Sequence, residues 1–193
     1  MRIFLFLCSC LLLLFSFCDR QKTAIKNNPV FKSEIVLTKN DIPAIEIDDH
    51  IYINTNNITP GELVNYAQSL TGIPYKYACT DPREGFDCSG FITYVFNHFK
   101  IAVPRSSVDF TDVEREIELK NAKRGDIILF TGTDSTIRVI GHMGIITSNP
   151  GEELRFIHST SGKAYGVTTT PLNSYYQSRF VKVVRIFKQN DRE

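Results

Sequence analysis

The sequence lacks several features that would mark it as a member of a large protein class. Its 22 basic and 21 acidic side chains leave almost no net charge. The lysines and arginines are scattered, so the basic stripe that nucleic-acid binding needs is missing, and no nucleic-acid partner is expected. There is also no internal repeat and no low-complexity block, which excludes an array of repeats. A chain of 193 residues with 42% hydrophobic and 22% charged side chains is instead predicted to be globular, with one folded domain.

Long apolar runs are also scarce, and the one at residues 3–17 is too short to span a membrane as a mature helix. It follows a single cation, Arg2, and polar residues begin directly after Cys18, which is the pattern of an export signal. A cysteine at the end of such a run resembles the lipobox of bacterial lipoproteins, in which the thiol is acylated. We therefore expect residues 1–18 to be a signal peptide with a lipidated Cys18. The rest of the protein is then exported and anchored to a membrane, on its periplasmic or cell-surface side. A plain signal peptide and an uncleaved anchor are the alternatives.

Cysteine is rare beyond that point, where only Cys79 and Cys88 remain. In an exported domain the two either form a disulfide that closes a short loop, or one of them is a free, reactive thiol. A zinc site with His142 and His158 is a further alternative. The four residues are separated by eight, fifty-three and fifteen intervening residues, unlike the closely spaced ligand pairs of structural zinc sites.

Residues 19–58 are polar, rich in Asn and Lys, and without a sustained helical period. This composition predicts a tether. Its second half carries isoleucines in a partly alternating pattern, which favours an extended segment lying against the domain. The folded domain is expected to cover residues 59–193.

The start of that domain carries a helix signature. Thr59 can act as the N-cap, Pro60 suits the first helical position and Glu62 completes a capping box. A second amphipathic helix is predicted from Cys88 to Phe99, because its apolar residues recur on one face.

From Gly125 onward the pattern changes to short β-rich runs separated by turn residues. The predicted strands are residues 126–130, 142–147, 154–158, 166–170 and 180–187. Helices followed by a series of strands predict an α+β fold, with an antiparallel sheet packed against N-terminal helices.

The most reactive candidate is Cys88. Asp87 is suited to cap the second helix, which places Cys88 in its first turn. The unpaired backbone N–H groups and the helix dipole favour an anion there, and the thiolate is the nucleophilic form of cysteine. We therefore expect this position to raise the reactive fraction of the thiol, with a nearby imidazole completing its activation.

Three histidines of the domain are candidates for that imidazole. His98 lies ten positions along the same helix, which at 1.5 Å per residue is about 15 Å away, so it cannot reach the thiol. His142 begins one predicted strand and His158 ends the next, so a hairpin can bring both to one end of the sheet. This arrangement is a Cys–His pair with a second histidine that orients the first.

Six ordered motifs then point to one family. They are Gly72-Ile73-Pro74-Tyr75, Gly85-Phe86-Asp87-Cys88-Ser89-Gly90-Phe91, Pro104-Arg105-Ser106-Ser107, Gly125-Asp126-Ile127-Ile128-Leu129-Phe130, Gly141-His142-Met143-Gly144-Ile145 and Phe156-Ile157-His158-Ser159. The chain resembles the NlpC/P60 family of cell-wall cysteine endopeptidases over residues 59–187. The resemblance implies a papain-like α+β fold and hydrolysis of peptidoglycan stem peptides at the bond between D-glutamate and the diamino acid.

Transferred position by position, the resemblance implies that Cys88 is the nucleophile, His142 the general base and later acid, and His158 the polar third member. Tyr75 matches a family tyrosine whose hydroxyl helps to stabilise the oxyanion. The backbone N–H of Cys88 is the natural second donor, since a helix N-terminus directs such groups at developing negative charge.

Asp87 and Ser89 flank the nucleophile where family members bind polar groups of the substrate peptide. No cofactor and no metal ligand are expected. The functional alternative is a lipoprotein of the same fold that binds stem peptides without cutting them.

Overall fold

The structure, a computed structural model, describes residues 51–113 and 115–192. The predicted signal peptide with Cys18, and the predicted tether as far as residue 50, lie outside the described residues. The α-helices within the described part are α1 Pro60–Ser69, α2 Cys88–His98 and α3 Ser174–Arg179. The strands in the same part are β1 Thr80–Asp81, β2 Gly85–Phe86, β3 Arg115–Ile117, β4 Ile127–Thr131, β5 Ile140–Ile146, β6 Arg155–Thr160, β7 Gly166–Pro171 and β8 Phe180–Arg185. Of the helices described here, none combines the length and the apolar character needed to cross a membrane.

Helix α1 begins as the sequence predicts. The Thr59 hydroxyl accepts a hydrogen bond from the Glu62 N–H at 3.2 Å, and the Glu62 carboxylate accepts one from the Thr59 N–H at 2.8 Å. Pro60 occupies the first helical position. The capping box is confirmed, and the buried face of the helix carries Leu63, Val64 and Ala67.

Helix α2 begins at the predicted residue and ends one residue before its predicted end, and Asp87 is its N-cap. Asp87 Oδ1 accepts a hydrogen bond from the Gly90 N–H at 2.5 Å. A Cβ on Gly90 would lie 2.1 Å from the carbonyl oxygen of Cys79, so the absence of a side chain lets the preceding loop cross the first turn of the helix. The first turn of α2 is therefore fixed by its cap and by this close approach.

The main sheet has six strands in the order β3-β8-β4-β5-β6-β7, and all neighbouring pairs are antiparallel. The predicted antiparallel sheet is confirmed. Strands β5 and β6 are paired at only two positions. Ile145 lies opposite Ile157, and Ile146 lies opposite Phe156. The backbone of β5 between residues 141 and 143 is therefore not paired with β6.

The sheet separates two apolar clusters because successive side chains of a strand point to opposite faces. The larger cluster contains α1 and α2 together with one set of strand residues, among them Leu129, Met143, Ile145 and Ile157. The smaller one contains Ile128, Phe130, Ile146, Phe156, Tyr176 and Val183. Helix α2 and helix α3 thus pack on different faces of the same strands.

Two features depart from the sequence analysis. Helix α3 lies between two strands, so not every helix precedes the sheet, and the short strands β1, β2 and β3 were not predicted. Six residues give too little periodicity to identify α3. At the start of the described part, Ile51 pairs with Val113 and Ile53 is buried in the larger cluster, so this stretch lies against the domain.

Candidate active site

The Cys88 side chain lies at the first turn of α2, partly buried against the larger apolar cluster. Its sulfur is 4.0 Å from the carbonyl oxygen of Gly141, directly before His142. The N–H of Met143, directly after His142, also acts on the sulfur. Cys79 and Cys88 are both free, so the alternative of a disulfide between them is not realised. The thiol is therefore unblocked and contacts both neighbours of His142.

The backbone at the start of α2 leaves two N–H groups available to the sulfur. Asp87 uses its carboxylate for the Gly90 N–H and its carbonyl oxygen for the Phe91 N–H, the latter at 3.0 Å. The N–H groups of Cys88 and Ser89 act on the sulfur and lower the pKa of the thiol. These groups are the helix N-terminal donors that the sequence analysis expected.

Burial nevertheless outweighs these donors. It raises the pKa of the Cys88 thiol to about 11, and the negative charge of Asp87 acts in the same direction. The N–H groups act in the expected direction, and activation by a nearby imidazole was expected to be needed as well. The free energy needed to desolvate a buried thiolate exceeds the stabilisation that the few N–H groups provide. Burial therefore acts against the thiolate at this position.

The two histidines are joined directly. Nε2 of His142 lies 2.8 Å from Nδ1 of His158, and Nε2 of His158 lies 3.0 Å from Oγ1 of Thr170. With Nε2 engaged in this way, Nδ1 is the nitrogen of His142 that remains for the thiol. The tautomer with the proton of His142 on Nε2, donated to His158, is the one that leaves Nδ1 able to accept a proton.

Both imidazoles are buried, and this sets their charge. Burial lowers the pKa of His142 well below its usual value, with the positive charges of a protonated His158 and of Arg179 acting in the same direction. Burial and Arg179 also lower the pKa of His158 to about 3. At neutral pH the pair is uncharged, so His142 can accept a proton.

Gly144 makes room for this pair. A Cβ at this position would lie 2.7 Å from the Phe156 ring, 2.9 Å from the Ile157 carbonyl oxygen and 3.3 Å from the His158 Cβ. His158 therefore packs over a position on β5 that carries no side chain. The sequence motif contained this glycine, but the reason for it is a cross-strand contact.

Tyr75 lies beside the thiol. Burial raises the pKa of its hydroxyl, and the negative charges of Cys88 and Asp87 add to the effect, which places all three groups close together. In the part of the chain that the structure describes, the Tyr75 hydroxyl has no hydrogen-bond partner. Its ring lies 5.9 Å from that of the exposed Tyr165, and the Tyr75 N–H donates to the Tyr165 carbonyl oxygen at 3.0 Å. The hydroxyl is thus available to a bound molecule.

Asp87 and Ser89 form one cluster with Arg105. The two terminal nitrogens of Arg105 lie 2.9 Å and 3.2 Å from the Asp87 carboxylate oxygens, and one of them donates to the Ser89 hydroxyl at 2.8 Å. Arg105 lies in one of the sequence motifs, but it was not expected to act at this site. Arg105 lies 18 positions after Asp87 in the sequence, so only folding brings the two side chains together.

The remaining candidates fall elsewhere. His98 stacks on Tyr66 with ring centres 3.6 Å apart, away from the thiol, as its spacing required. No group of three or more His, Cys, Asp or Glu side chains within residues 51–113 and 115–192 has the geometry to hold a metal ion. Sequence reasoning also missed Thr170, Tyr176 and Arg179, which contact or surround the two imidazoles.

Comparison with known proteins identifies relatives of this chain. The NlpC/P60 family model matches residues 72–185. A gamma-DL-glutamyl hydrolase of Bacillus subtilis is 34% identical over 124 residues, which are 64% of this chain and 29% of that enzyme. A probable endopeptidase NlpC homolog of Haemophilus influenzae is 28% identical over 173 residues, covering 81% of this chain and 87% of that protein.

The fold is similar as well. The crystal structure of an NlpC/P60 family protein from Bacillus cereus superposes with a TM-score of 0.60 at 25% identity, over 69% of this chain and 42% of that one. Of the length of the first three relatives this chain spans 29%, 25% and 35%. The helices and the antiparallel sheet form the papain-like α+β fold of these structures. Since the family model matches more than half of its residues, this chain belongs to the NlpC/P60 family.

Proposed function

We propose that the protein is a cysteine peptidase that hydrolyses peptidoglycan stem peptides at the bond between D-glutamate and the diamino acid. One observation carries the proposal: a free thiol at the start of α2 contacts both neighbours of His142, whose far nitrogen is bonded to His158. Family membership supports a cell-wall substrate. The B. subtilis relative that is named a gamma-DL-glutamyl hydrolase supports the choice of bond.

In the first half-reaction, Nδ1 of His142 takes the proton of the Cys88 thiol as the sulfur attacks the carbonyl carbon of the scissile amide. The carbonyl oxygen becomes an oxyanion, which accepts hydrogen bonds from the Cys88 N–H and the Tyr75 hydroxyl. The tetrahedral intermediate collapses, the C–N bond breaks, and His142 returns its proton to the leaving amine. The product is a thioester on Cys88.

In the second half-reaction, His142 takes a proton from water, and the resulting hydroxide equivalent attacks the thioester carbonyl. The C–S bond breaks, the free carboxylate of the glutamyl product leaves, and the thiol regains its proton. His158 holds the imidazole of His142 in one tautomer throughout and stabilises its cationic form.

The cluster of Asp87, Ser89 and Arg105 supplies polar groups of both signs beside the nucleophile. We assign to Asp87 and Ser89 the binding of polar groups of the stem peptide. The guanidinium of Arg105 orients them, because it donates to both side chains.

The test is a digest of purified peptidoglycan fragments, with products identified by mass spectrometry. Wild-type protein is expected to release fragments ending in D-glutamate, and Cys88→Ala none. Cys79→Ala is the matched control, because Cys79 is the other free, partly buried thiol, and it is expected to cut like wild type. Equal product from wild type and Cys88→Ala would rule out this nucleophile. Cleavage at another bond would refute the assigned specificity. Binding of stem peptides without any cleavage would support the non-catalytic alternative.

We further propose that the protein is exported and held at a membrane by a lipid on Cys18. Growth with a fatty acid that carries an alkyne reporter is expected to label wild type and not Cys18→Ala. Label on both proteins, or on neither, would refute the anchor while leaving the peptidase proposal untouched.

A further inference from the structure

Arg179, the last residue of α3, is buried although it is charged, with 7% of its surface exposed. Its Nε donates to the Gly132 carbonyl oxygen at 2.7 Å and one terminal nitrogen to the Thr131 carbonyl oxygen at 2.8 Å. The other terminal nitrogen donates to the Tyr175 hydroxyl at 2.7 Å. Among the described residues no carboxylate pairs with this guanidinium. A buried cation without a counter-charge is costly, so neutral partners and an aromatic side chain must offset it here.

The carbonyl oxygens that Arg179 binds belong to the backbone that supports the site. Gly132 follows the last residue of β4, and a Cβ on Gly141 would lie 2.8 Å from the Gly132 Cα. The two glycine backbones are therefore in close contact. Gly141 in turn presents the carbonyl oxygen that lies 4.0 Å from the Cys88 sulfur. The guanidinium thus fixes the segment against which the neighbour of His142 packs.

A second connection runs through Tyr176. Its ring stacks on that of His142 with centres 6.1 Å apart and meets the ring of His158 edge-on at 5.4 Å. The Arg179 guanidinium carbon lies 5.7 Å from the centre of the same tyrosine ring. Arg179 and Tyr176 on α3 therefore cover the imidazole pair from the face opposite to α2.

We propose that Arg179 is a positioning residue for the catalytic pair, fixing the end of β4 behind Gly141 and the Tyr176 ring against His142 and His158. This inference rests on the proposed peptidase function, because the two histidines are catalytic only under that proposal. The positive charge of Arg179 also acts on the pair, because it lowers the pKa of both imidazoles. Arg179 from α3 is the charged group of a neighbouring element that acts on both imidazoles, and Tyr176 of the same helix packs against both rings.

The experiment compares Arg179→Gln, which removes the charge, with Arg179→Lys, which keeps it. Two quantities are measured on folded protein: the titration midpoints of His142 and His158 by NMR, assigned with a His158→Gln variant, and kcat and KM for stem-peptide cleavage. Arg179→Gln is expected to raise the midpoints by about one unit and to lower kcat about tenfold with little change in KM. Arg179→Lys is expected to keep the midpoints near those of wild type.

Arg185→Gln is the matched control, since Arg185 is equally buried but pairs with Asp126. It is expected to lose stability without any shift in the histidine midpoints. Unchanged midpoints and kcat in folded Arg179→Gln would overturn the inference, as would an equal shift in Arg185→Gln. If wild type cuts no stem peptide but the midpoints move as stated, the proposed function fails while the positioning role of Arg179 stands.

Discussion

Nε2 of His142 and Nδ1 of His158 lie 2.8 Å apart, on two adjacent strands whose backbones are not paired at this end. The side-chain hydrogen bond therefore connects the two strands beyond the point where their backbone pairing ends. It also engages Nε2 of His142 and leaves Nδ1 of that ring without a hydrogen-bond partner among the described residues. An imidazole held by a neighbouring polar group is an arrangement found in thiol and serine hydrolases.

Loss of that hydrogen bond is expected to impair turnover. His158→Ala should lower kcat by roughly 100-fold or more, because the imidazole of His142 can then rotate and exchange tautomers. His158→Gln, whose amide oxygen can accept the same proton, should recover part of that loss. Thr170→Val removes only the outer hydrogen bond and should cost less than His158→Ala. Steady-state kinetics on a stem peptide check the series, and equal kcat in all three variants would contradict it.

Stability should fall as the pH is lowered below neutrality. The folded-state pKa of His142 and of His158 lies below the unfolded value of roughly 6.5, so the native state binds fewer protons than the unfolded chain. This contribution is fully present above that value. It is lost at about 1.4 kcal/mol per pH unit for each histidine as the pH falls from 6.5 toward the folded value, which is about 3 for His158.

Urea unfolding at pH 7 and at pH 5 measures this effect. His158→Gln should show a weaker pH dependence than wild type. His98→Gln, which alters the exposed histidine of α2, should keep the wild-type dependence. An identical dependence in His158→Gln and wild type would argue against a buried neutral pair.

The reactivity of Cys88 should respond to the charge of Asp87. Asp87→Asn keeps a capping oxygen but removes the negative charge that raises the pKa of the thiol, and it leaves Arg105 unneutralised nearby. Alkylation of Cys88 by iodoacetamide at pH 8 is therefore expected to be about three- to tenfold faster than in wild type. Asp109→Asn is the control at an exposed position on the same chain. Slower alkylation in Asp87→Asn would show that the charge does not act as stated.

Gly144 should tolerate no larger residue. In Gly144→Ala the new methyl group meets the Phe156 ring and the Ile157 carbonyl oxygen at less than 3 Å, so the free energy of unfolding is expected to fall by about 1–3 kcal/mol. Gly132→Ala is the matched control, because a Cβ there meets nothing within 4 Å. Chemical denaturation compares the two, and equal losses would mean that the cross-strand contact is not the cause.

Much of the fold follows from local patterns. The capping box at Thr59 and the cap at Asp87 depend on residues three apart, so the starts of α1 and α2 were predictable. The strands β4 to β8 follow from apolar runs and turn residues. Helix α3 was missed because six residues carry no helical period, and β1 and β2 have only two residues each.

The site was predictable in its residues but not in its electrostatics. The motifs identified Cys88, His142 and His158 together, yet the raised pKa of the thiol depends on burial by residues far away in sequence. Arg179 was missed for the same reason, because it binds carbonyl oxygens 47 and 48 positions earlier in the chain. Short-range patterns contain no information on such contacts.

Burial of the Cys88 sulfur also bears on how fast it is oxidised. Peroxides attack the thiolate and convert it through sulfenic acid to forms that cannot be repaired, so a thiol that stays protonated is oxidised slowly. In the unfolded chain the same cysteine ionises near pH 8.5, as cysteines ordinarily do, and is more easily damaged. The desolvation that raises the pKa of this thiol is therefore also expected to favour its reduced form.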